Sequence, residues 1–407
     1  MTHAPFVPEL STIQSASLEK PASMEDVFGG NEVGPVPNPF PVYDMLREHR
    51  PAMPVQGMAY SGYLLTRYDD VKAALKNHEV FSNRGNAKHI GLVFGRTIQE
   101  MDGKEHIKHR KIVSPALAPR ALQKNFAGAA KAIADELIDK FADKGDAELV
   151  QEFTFGYPLR VFMKIIGLPE KDLETVHKTA ADLTKIGVDP MKGLQAAQEL
   201  TTYLTPIVEA RRSNPSDDLL SRLVTAEVDG DQLSVDEVVS FAKLLVLAGA
   251  ETTYHLIGTV LLALLAHPEQ LAEVTKNREL VVPALDEALR WDSPVQIVCR
   301  ETVSPIELAG VKMEADTSVL VVCGAANRDP AMFKDPEVFD IHRNTKDHIA
   351  FGSGQHFCAG SRVAYLEAEI ALNSLLDRLP NLRPGSDMGQ VVGMSFRGPT
   401  RVPVQFG

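Results

Sequence analysis

The feature that most constrains the fold is a long apolar stretch at residues 241–266, FAKLLVLAGAETTYHLIGTVLLALLA. Just upstream, Ser234 and Glu237 have the spacing of a capping box, in which each side chain accepts a hydrogen bond from the other residue's backbone N–H. His267-Pro268 ends the pattern, because the residue before a proline disfavours helical backbone. The sequence therefore predicts one helix that runs from about residue 234 to 266.

A helix this long and apolar either crosses a membrane or runs through a protein core. Lys243, Glu251 and His255 lie near its middle, where ionisable groups are costly in lipid. We therefore predict a core helix. The 407 residues, 44% of them hydrophobic and 24% charged, are enough to build a large soluble core around it.

The rest of the chain is also mostly helical in pattern. Apolar periodicity predicts helices that start at Asp69-Asp70 and around residues 133–141, 159–166, 194–212 and 281–290. Strand patterns are fewer, at 59–66, at 295–322 with a turn at Gly310, and at 390–405. We predict a single, mainly α domain over residues 37–407 with small marginal β-sheets, preceded by a loosely ordered, Pro- and Gly-rich arm at 1–36.

Charge and cysteine content narrow the function class. The chain has 42 Lys and Arg against 54 Asp and Glu, a net charge of −12, which argues against a nucleic-acid partner. Three cysteines fit a reduced compartment without a disulfide framework. The first twenty residues lack the pattern of a signal peptide, so we expect a cytoplasmic protein.

One cysteine lies in a glycine-flanked loop, FGSGQHFCAG at residues 351–360. The glycines allow tight turns and close approach of the backbone to a large flat ligand. The start of the next apolar helix offers N–H groups and a positive dipole, which favour a thiolate at Cys358. That thiolate would be either a nucleophile or a soft metal ligand.

Two further motifs carry candidate chemistry. In AGAETT (248–253), Ala248 and Gly249 suggest a shallow groove for a planar ligand, and the Thr252 hydroxyl can bond back to a helix carbonyl beside the acid Glu251. Small residues and a threonine in a helix are otherwise packing features. In EALR (287–290), the acid and the base share a helix face; they form either an exposed ion pair or, with Arg343, a buried triad.

The cysteine loop, AGAETT and EALR occur in an order that resembles the cytochrome P-450 family, specifically its soluble bacterial members, over residues 37–407. The resemblance implies that Cys358 is the thiolate ligand of haem b iron, where thiolate ligation favours O–O cleavage. It also implies that Glu251 and Thr252 deliver protons and that Glu287, Arg290 and Arg343 form a structural triad. The residues that it assigns to haem binding are His106, Arg110, Arg300, His348, Phe351, His356 and Gly360, together with Gly354 as a shaping residue of the loop. Gly103 stands where many members carry proline.

The implied activity is a monooxygenase that inserts one oxygen atom of O₂ into an apolar small molecule by hydroxylation or O-dealkylation. Electrons would come from NAD(P)H through a ferredoxin reductase and a ferredoxin. The alternatives are a peroxygenase that uses hydrogen peroxide and a non-catalytic haem-binding or sensor protein. The Glu251-Thr252 pair disfavours both.

Substrate and partner surfaces also follow from the resemblance, and we expect a monomer. The side chains expected to line the substrate pocket are Leu244, Ala248, Val295, Gln296, Val298, Met394 and Ser395. They are mostly apolar, which suits a terpenoid, a steroid or an aromatic compound.

A basic segment contains Lys104, Lys108, Arg110, Lys111, Arg120 and Lys124. It is either a solvated helix face or a docking patch for an acidic ferredoxin.

Overall fold

The structure is a computed structural model that describes residues 8–17, 20–29, 36–57, 61–118, 126–183, 189–228 and 230–407. Helices dominate the described residues, as the sequence predicts. The helices before the long one are α1 (Leu10–Ser15), α2 (Met24–Phe28), α3 (Phe40–His49), α4 (Tyr68–Lys76), α5 (Gly91–Phe94), α6 (Gly103–Val113), α7 (Ala127–Asp139), α8 (Tyr157–Ile166), α9 (Leu173–Leu183), α10 (Pro190–Ser213) and α11 (Leu219–Thr225). The helices from there onward are α12 (Val235–Ala266), α13 (Pro268–Lys276), α14 (Val281–Trp291), α15 (Cys323–Ala326) and α16 (Ser361–Arg378).

The strands are short, and most of them follow the predicted segments. They are β1 (Ala22–Ser23), β2 (Ala52–Gln56), β3 (Ser61–Leu65), β4 (Phe81–Ser82), β5 (Asp146–Glu148), β6 (Glu227–Val228), β7 (Asp231–Gln232), β8 (Ile297–Thr302), β9 (Ile306–Leu308), β10 (Val311–Met313), β11 (Ser318–Val322), β12 (Arg383–Pro384), β13 (Val391–Val392), β14 (Gly398–Pro399) and β15 (Pro403–Gln405). The predicted turn at Gly310 joins β9 to β10, and both Ala309 and Gly310 have positive φ.

Helix α12 begins and ends where the sequence predicts. Ser234 N–H donates to Glu237 Oε2 at 2.8 Å, and Glu237 N–H donates to Ser234 Oγ at 3.2 Å, so the capping box is formed. The helix stops at Ala266, and Pro268 starts the next one. Among the described helices α12 alone is long and apolar enough to cross a membrane, and 56% of its most apolar window is buried inside the protein.

The chain forms two compact units. The first comprises Met1–Gly85, Thr259–Cys358 and Gly389–Thr400. Its main sheet has six strands in the order β1-β2-β3-β11-β8-β4, with β11 parallel to β3 and antiparallel to β8. Alternate residues of β11 enter opposite apolar cores: Leu320 and Val322 pack into one, and Val319 and Val321 pack into the other.

The N-terminal segment differs from the loose arm that the sequence suggests. Its described parts form α1, β1 and α2, and β1 pairs in parallel with β2. Ile13, Val27 and Phe28 are at most 1% exposed and belong to the core of the first unit. Scattered apolar residues between prolines and glycines therefore contribute to this core, although they show no clear periodicity. The domain boundary at residue 37 stays a prediction.

The second unit comprises Asn86–Gly258, Ala359–Met388 and Arg401–Gly407. It contains α5–α11, most of α12 and the whole of α16. Helix α16 packs against α7, and the Tyr157 hydroxyl of α8 donates to the Glu367 carbonyl of α16 at 3.2 Å. A small sheet, β12-β15-β5, and the β6-β7 hairpin complete this unit. The cysteine loop thus ends the central segment of the first unit, and the AGAETT stretch belongs to the second.

Candidate functional site

The cysteine loop is a tight turn that packs on α4. The Cys358 N–H donates to the Phe351 carbonyl at 2.9 Å, which closes the loop around a single helical turn at Gly354–His356. Gly354 has φ +75°, and a Cβ there would lie 3.0 Å from the Leu75 carbonyl oxygen. Only glycine fits this position without strain. The loop therefore holds Cys358 in a defined, half-buried place three residues before α16 begins.

The other two cysteines are in different settings. Cys323 is buried at the start of α15, and burial raises the pKa of its thiol to about 12. Cys299 is half-buried in β8, and none of the three cysteines forms a disulfide. Cys358 alone is placed in a glycine-shaped loop in front of a helix N-terminus, where a thiolate is favoured.

Helix α12 presents an acid and an alcohol side by side. The Thr252 hydroxyl donates to the Ala248 carbonyl at 2.8 Å, the back-bond that the sequence suggests. Glu251 Oε2 is buried and has no hydrogen-bond partner within the described part of the chain. Burial alone raises the pKa of this carboxyl from 4.5 to about 7, so both of its protonation states are populated near neutral pH.

Gly249 does not provide the groove suggested by the sequence. A Cβ at this position would lie 2.5 Å from the ring of Phe162, so α8 packs directly against the backbone of α12 here. This glycine is required for contact between helices. Ala248, one residue earlier, is exposed, and Leu244, one turn before it, is 6% exposed.

Glu287, Arg290 and Arg343 are brought together in the first unit. Glu287 and Arg290 are both 0% exposed, and two Arg290 nitrogens donate to the two Glu287 oxygens at 2.7 Å. Arg343 Nε donates to Glu287 Oε1 at 3.2 Å, and the Asp340 N–H donates to the same oxygen at 2.9 Å. Other guanidinium nitrogens of Arg290 and Arg343 donate to backbone carbonyls of residues 327–338. The cluster is a closed network that fixes the chain upstream of the cysteine loop.

The residues expected to bind haem come from both units. His106 is buried and Arg110 half-buried, one turn apart on α6 in the second unit. Arg300 is buried in β8 of the first unit and donates to the Cys299 carbonyl at 2.7 Å. His348 lies 4.0 Å from the Asp286 carboxylate, and burial lowers the pKa of its imidazole. His356 and Phe351 are half-buried in the cysteine loop, and Gly360 lies just before α16.

Two of the residues expected in the substrate pocket belong to the core instead. Gln296 is 0% exposed; its amide donates to the Ser293 carbonyl at 2.8 Å and accepts from the Tyr43 hydroxyl at 3.3 Å. Met394 is also 0% exposed and packs in the same region. The prediction of an amide available to a substrate is therefore wrong for Gln296, because protein groups already occupy it.

The other expected pocket residues of the first unit are half-buried. Val295 forms a β-bridge with Phe396, and Ser395 accepts a backbone hydrogen bond from residue 296 at 3.0 Å. Val298 lies in β8 and packs against an apolar core. These three side chains remain candidates for substrate contact.

Sequence reasoning overlooked a buried cation. Lys243, 7% exposed on α12, donates to the Val93 carbonyl of α5 at 3.0 Å, and burial lowers the pKa of its ammonium group. A lysine inside the apolar stretch 241–266 could have indicated this buried contact, but from the sequence Lys243 served only as an argument against a membrane helix. Lys243 fixes the end of α5.

The basic segment is partly neutralised. Lys108 contacts the carboxylate of Asp231, while Lys104 and Lys111 are exposed. Arg120 and Lys124 lie outside the described residues. A docking surface therefore has support from Lys104 and Lys111 and less from Lys108.

Comparison with known proteins gives one consistent result. A family model described as Cytochrome P-450 matches residues 184–387. The 6-deoxyerythronolide B hydroxylase of Saccharopolyspora erythraea is 34% identical over 385 residues, which cover 89% of this chain and 95% of the relative. The structure of cytochrome P-450 CYP109Q5 from Chondromyces apiculatus aligns with a TM-score of 0.83 at 33% identity, covering 91% of this chain and 95% of the other. CYP109E1 from Bacillus megaterium, solved in complex with testosterone, aligns with a TM-score of 0.82 at 30% identity over 91% of this chain and 99% of the other.

Proposed function

This chain belongs to the cytochrome P-450 family, and we propose that it inserts one oxygen atom of O₂ into an apolar small molecule of the terpenoid, steroid or aromatic class. It is an oxidoreductase of the monooxygenase type. The observation that carries the specific proposal is Glu251. A buried acid with a pKa near 7, next to a threonine hydroxyl, has the properties of a proton donor for oxygen chemistry at neutral pH.

The residues of the chain fit a haem group. Cys358 supplies a soft sulfur donor on a loop whose conformation requires glycine at position 354. Arg300, Arg110 and His356 supply groups that pair with carboxylates. We propose that Cys358 ligates the iron of haem b and that His106, Arg110, Arg300, His348 and His356 hold its propionates. Phe351 would pack near the haem, Gly354 would shape the loop, and Gly360 would belong to the same binding site. When bound, such a haem supplies the activation of O₂, which thiolate ligation favours.

The protein's own contribution is to hold and move protons. Near pH 7 a large fraction of Glu251 is protonated, and the carboxyl can give a proton and take it back without a large energetic cost. Thr252 is the adjacent hydroxyl, and its back-bond to Ala248 keeps its oxygen near the helix axis. In this proposal Glu251 is the acid and Thr252 directs the proton towards the reacting oxygen.

The substrate class rests on the side chains that remain candidates for contact. Leu244, Ala248, Val295 and Val298 are apolar, and Ser395 offers one hydroxyl. CYP109E1 was solved with testosterone, a ligand of this size and polarity. We therefore propose a largely apolar, rigid substrate with few hydrogen-bonding groups, which is hydroxylated or O-dealkylated.

The electron donor that we propose is a ferredoxin, reduced by NAD(P)H through a reductase, in the cytoplasm. The support is the exposed Lys104 and Lys111 on α6 in a chain of net charge −12, because a local basic surface steers an acidic partner. Lys111→Glu should slow reduction by the ferredoxin and leave substrate affinity unchanged. Lys276→Glu, an exposed lysine at the end of α13, is the matched control.

The test of the activity is product formed per NADH, with hydrogen peroxide measured in parallel. Thr252→Ala should bind substrate normally but divert electrons to peroxide, whereas Glu251→Gln should slow turnover because the acid is lost. Full coupling in Thr252→Ala would contradict the proposed proton path. Equal product yield from added peroxide without any NADH would instead indicate a peroxygenase.

A further inference from the structure

Helix α12 carries a second buried polar group one turn beyond Glu251. His255 lies four residues later and is 9% exposed, so the two side chains emerge on the same face of the helix. Glu251 Oε2 and His255 Nδ1 are both buried, and neither has a hydrogen-bond partner among the residues that the structure describes. Two such atoms within one helical turn are unusual, because buried polar groups are nearly always satisfied.

The two groups do not bond to each other directly, although their positions suit a shared third group. Residues four apart on a helix have Cβ atoms about 5–6 Å from one another. A water that accepts from one side chain and donates to the other spans such a separation at little cost. The atoms have the right chemistry for this, since a carboxyl and an imidazole nitrogen each donate or accept according to their protonation.

The surroundings of His255 keep the imidazole neutral. Burial lowers the pKa of His255 to about 3, so it carries no charge at neutral pH. The ring centroids of Tyr254 and His255 are 4.0 Å apart. The ring centroid of Phe155 lies 5.5 Å from that of Tyr254 and 4.3 Å from that of His177 on α9. These contacts place the titratable groups Tyr254 and His177 near the turn that carries Glu251. Burial and the charge on Glu251 raise the pKa of Tyr254, and burial lowers the pKa of His177.

We propose that His255 is a positioning residue for Glu251: its Nδ1 and Glu251 Oε2 share one ordered water, which orients and partly hydrates the carboxyl. The inference rests on the proposed role of Glu251 as proton donor and extends it to a residue outside that pair. The neutral imidazole does not compete for the proton. The water it holds stabilises the ionised carboxylate and therefore sets the pH range over which Glu251 gives up its proton.

The direct test is an infrared titration of the Glu251 carboxyl in the holoenzyme from about pH 5 to about pH 9, with the band assigned by its loss in Glu251→Gln. His255→Leu removes the polar atom and keeps the bulk, and it should raise the apparent pKa of Glu251 by about one unit, a tenfold change in the ionisation constant. His255→Asn places an uncharged amide near the position of Nδ1 and should restore the wild-type titration within about 0.3 units. An unchanged titration in His255→Leu, or an equal shift in both variants, overturns the proposal.

A second measurement covers the case in which His255→Leu does not fold. In protein labelled with ¹⁵N-histidine, the Nδ1 resonance of His255, assigned by its loss in His255→Asn, should move in Glu251→Gln. An unmoved resonance overturns the proposal.

Failure of the inference and failure of the proposed function give different results. The infrared and ¹⁵N readouts report on the water and need no turnover. If Thr252→Ala keeps full coupling of NADH to product while His255→Leu shifts the Glu251 titration, the proposed proton path is wrong and the shared water is supported. If Thr252→Ala loses coupling as expected while His255→Leu leaves the Glu251 titration unchanged, the proposed function is supported and His255 does not position Glu251.

Discussion

Two buried glutamates, Glu251 and Glu287, show how the same side chain serves different purposes in this molecule. Glu287 is 0% exposed and accepts four hydrogen bonds, two from Arg290, one from Arg343 and one from the Asp340 backbone. Glu251 has a buried oxygen that no described residue bonds, and its pKa rises to about 7. The first carboxylate is bonded by two guanidinium groups, whereas the second exchanges its proton near neutral pH.

A third acid, Glu367 on α16, extends the comparison. It is 0% exposed, and neither of its oxygens has a partner in the described ranges. Burial raises its pKa well above the usual range. Glu367, which is fully buried, thus stays neutral, and Glu251, which is partly buried with one buried oxygen, titrates near neutral pH. What burial does to a carboxyl is decided by the partners around it, and this separates the structural site from the reactive one.

The largest expected effect comes from breaking the satisfied network. Glu287→Gln leaves the buried guanidinium of Arg290 and the half-buried guanidinium of Arg343 without a counter-charge. It should lower the free energy of unfolding by about 3–5 kcal/mol. Urea unfolding followed by circular dichroism measures this. The matched control is Glu105→Gln, which removes an exposed carboxylate that Arg96 contacts at 2.7 Å and should cost less than about 1 kcal/mol. Equal losses in the two variants would show that burial of the network has no energetic importance.

The next effect concerns the unsatisfied acid and depends on pH. The folded state holds the Glu251 proton up to about pH 7, while the unfolded chain releases it near 4.5, so this group makes folding stability fall as the pH rises through that window. The full difference corresponds to about 3 kcal/mol. Glu251→Gln removes the titration, so the two proteins should be nearly equal in stability at about pH 4, below the unfolded pKa, and the variant should be more stable at about pH 8. A stability gap independent of pH would contradict the shifted pKa.

The smallest effect tests how the network depends on guanidinium geometry. Arg343→Lys keeps the charge but loses the fork that bonds Glu287 together with the carbonyls of residues 335 and 338. We expect a loss of about 1–2 kcal/mol in the free energy of unfolding, because an ammonium group cannot reproduce this set of bonds. Thermal unfolding at one pH measures the change. Stability equal to wild type would mean that only the charge of Arg343 matters.

Local signals in the sequence predicted much of the fold. The spacing of Ser234 and Glu237 gave the start of α12, and His267-Pro268 gave its end, because caps and prolines act within one turn. The Glu287 and Arg290 pair followed from helix periodicity. These features depend on residues that are close in sequence, so no knowledge of the tertiary contacts was required.

The remaining features depend on contacts between distant segments. The closeness of Phe162 to Gly249, the hydrogen bond from Tyr43 to Gln296 and the pairing of Lys108 with Asp231 join residues from 87 to 253 positions apart. Neither periodicity nor spacing contains that information. For the same reason the sequence suggested a planar-ligand groove at Gly249 and a substrate-facing amide at Gln296, and both positions turned out to be packed against protein.

The central claim is that Cys358 is the thiolate ligand of a haem, and the carbon-monoxide adduct of the reduced protein tests it most directly. The wild type should show the red-shifted Soret band of a thiolate-ligated haem, and Cys299→Ser should keep that band. Cys358→His should move the band to the position of an ordinary histidine-ligated haem. A Cys358→Ser variant that retains the thiolate spectrum would contradict the account.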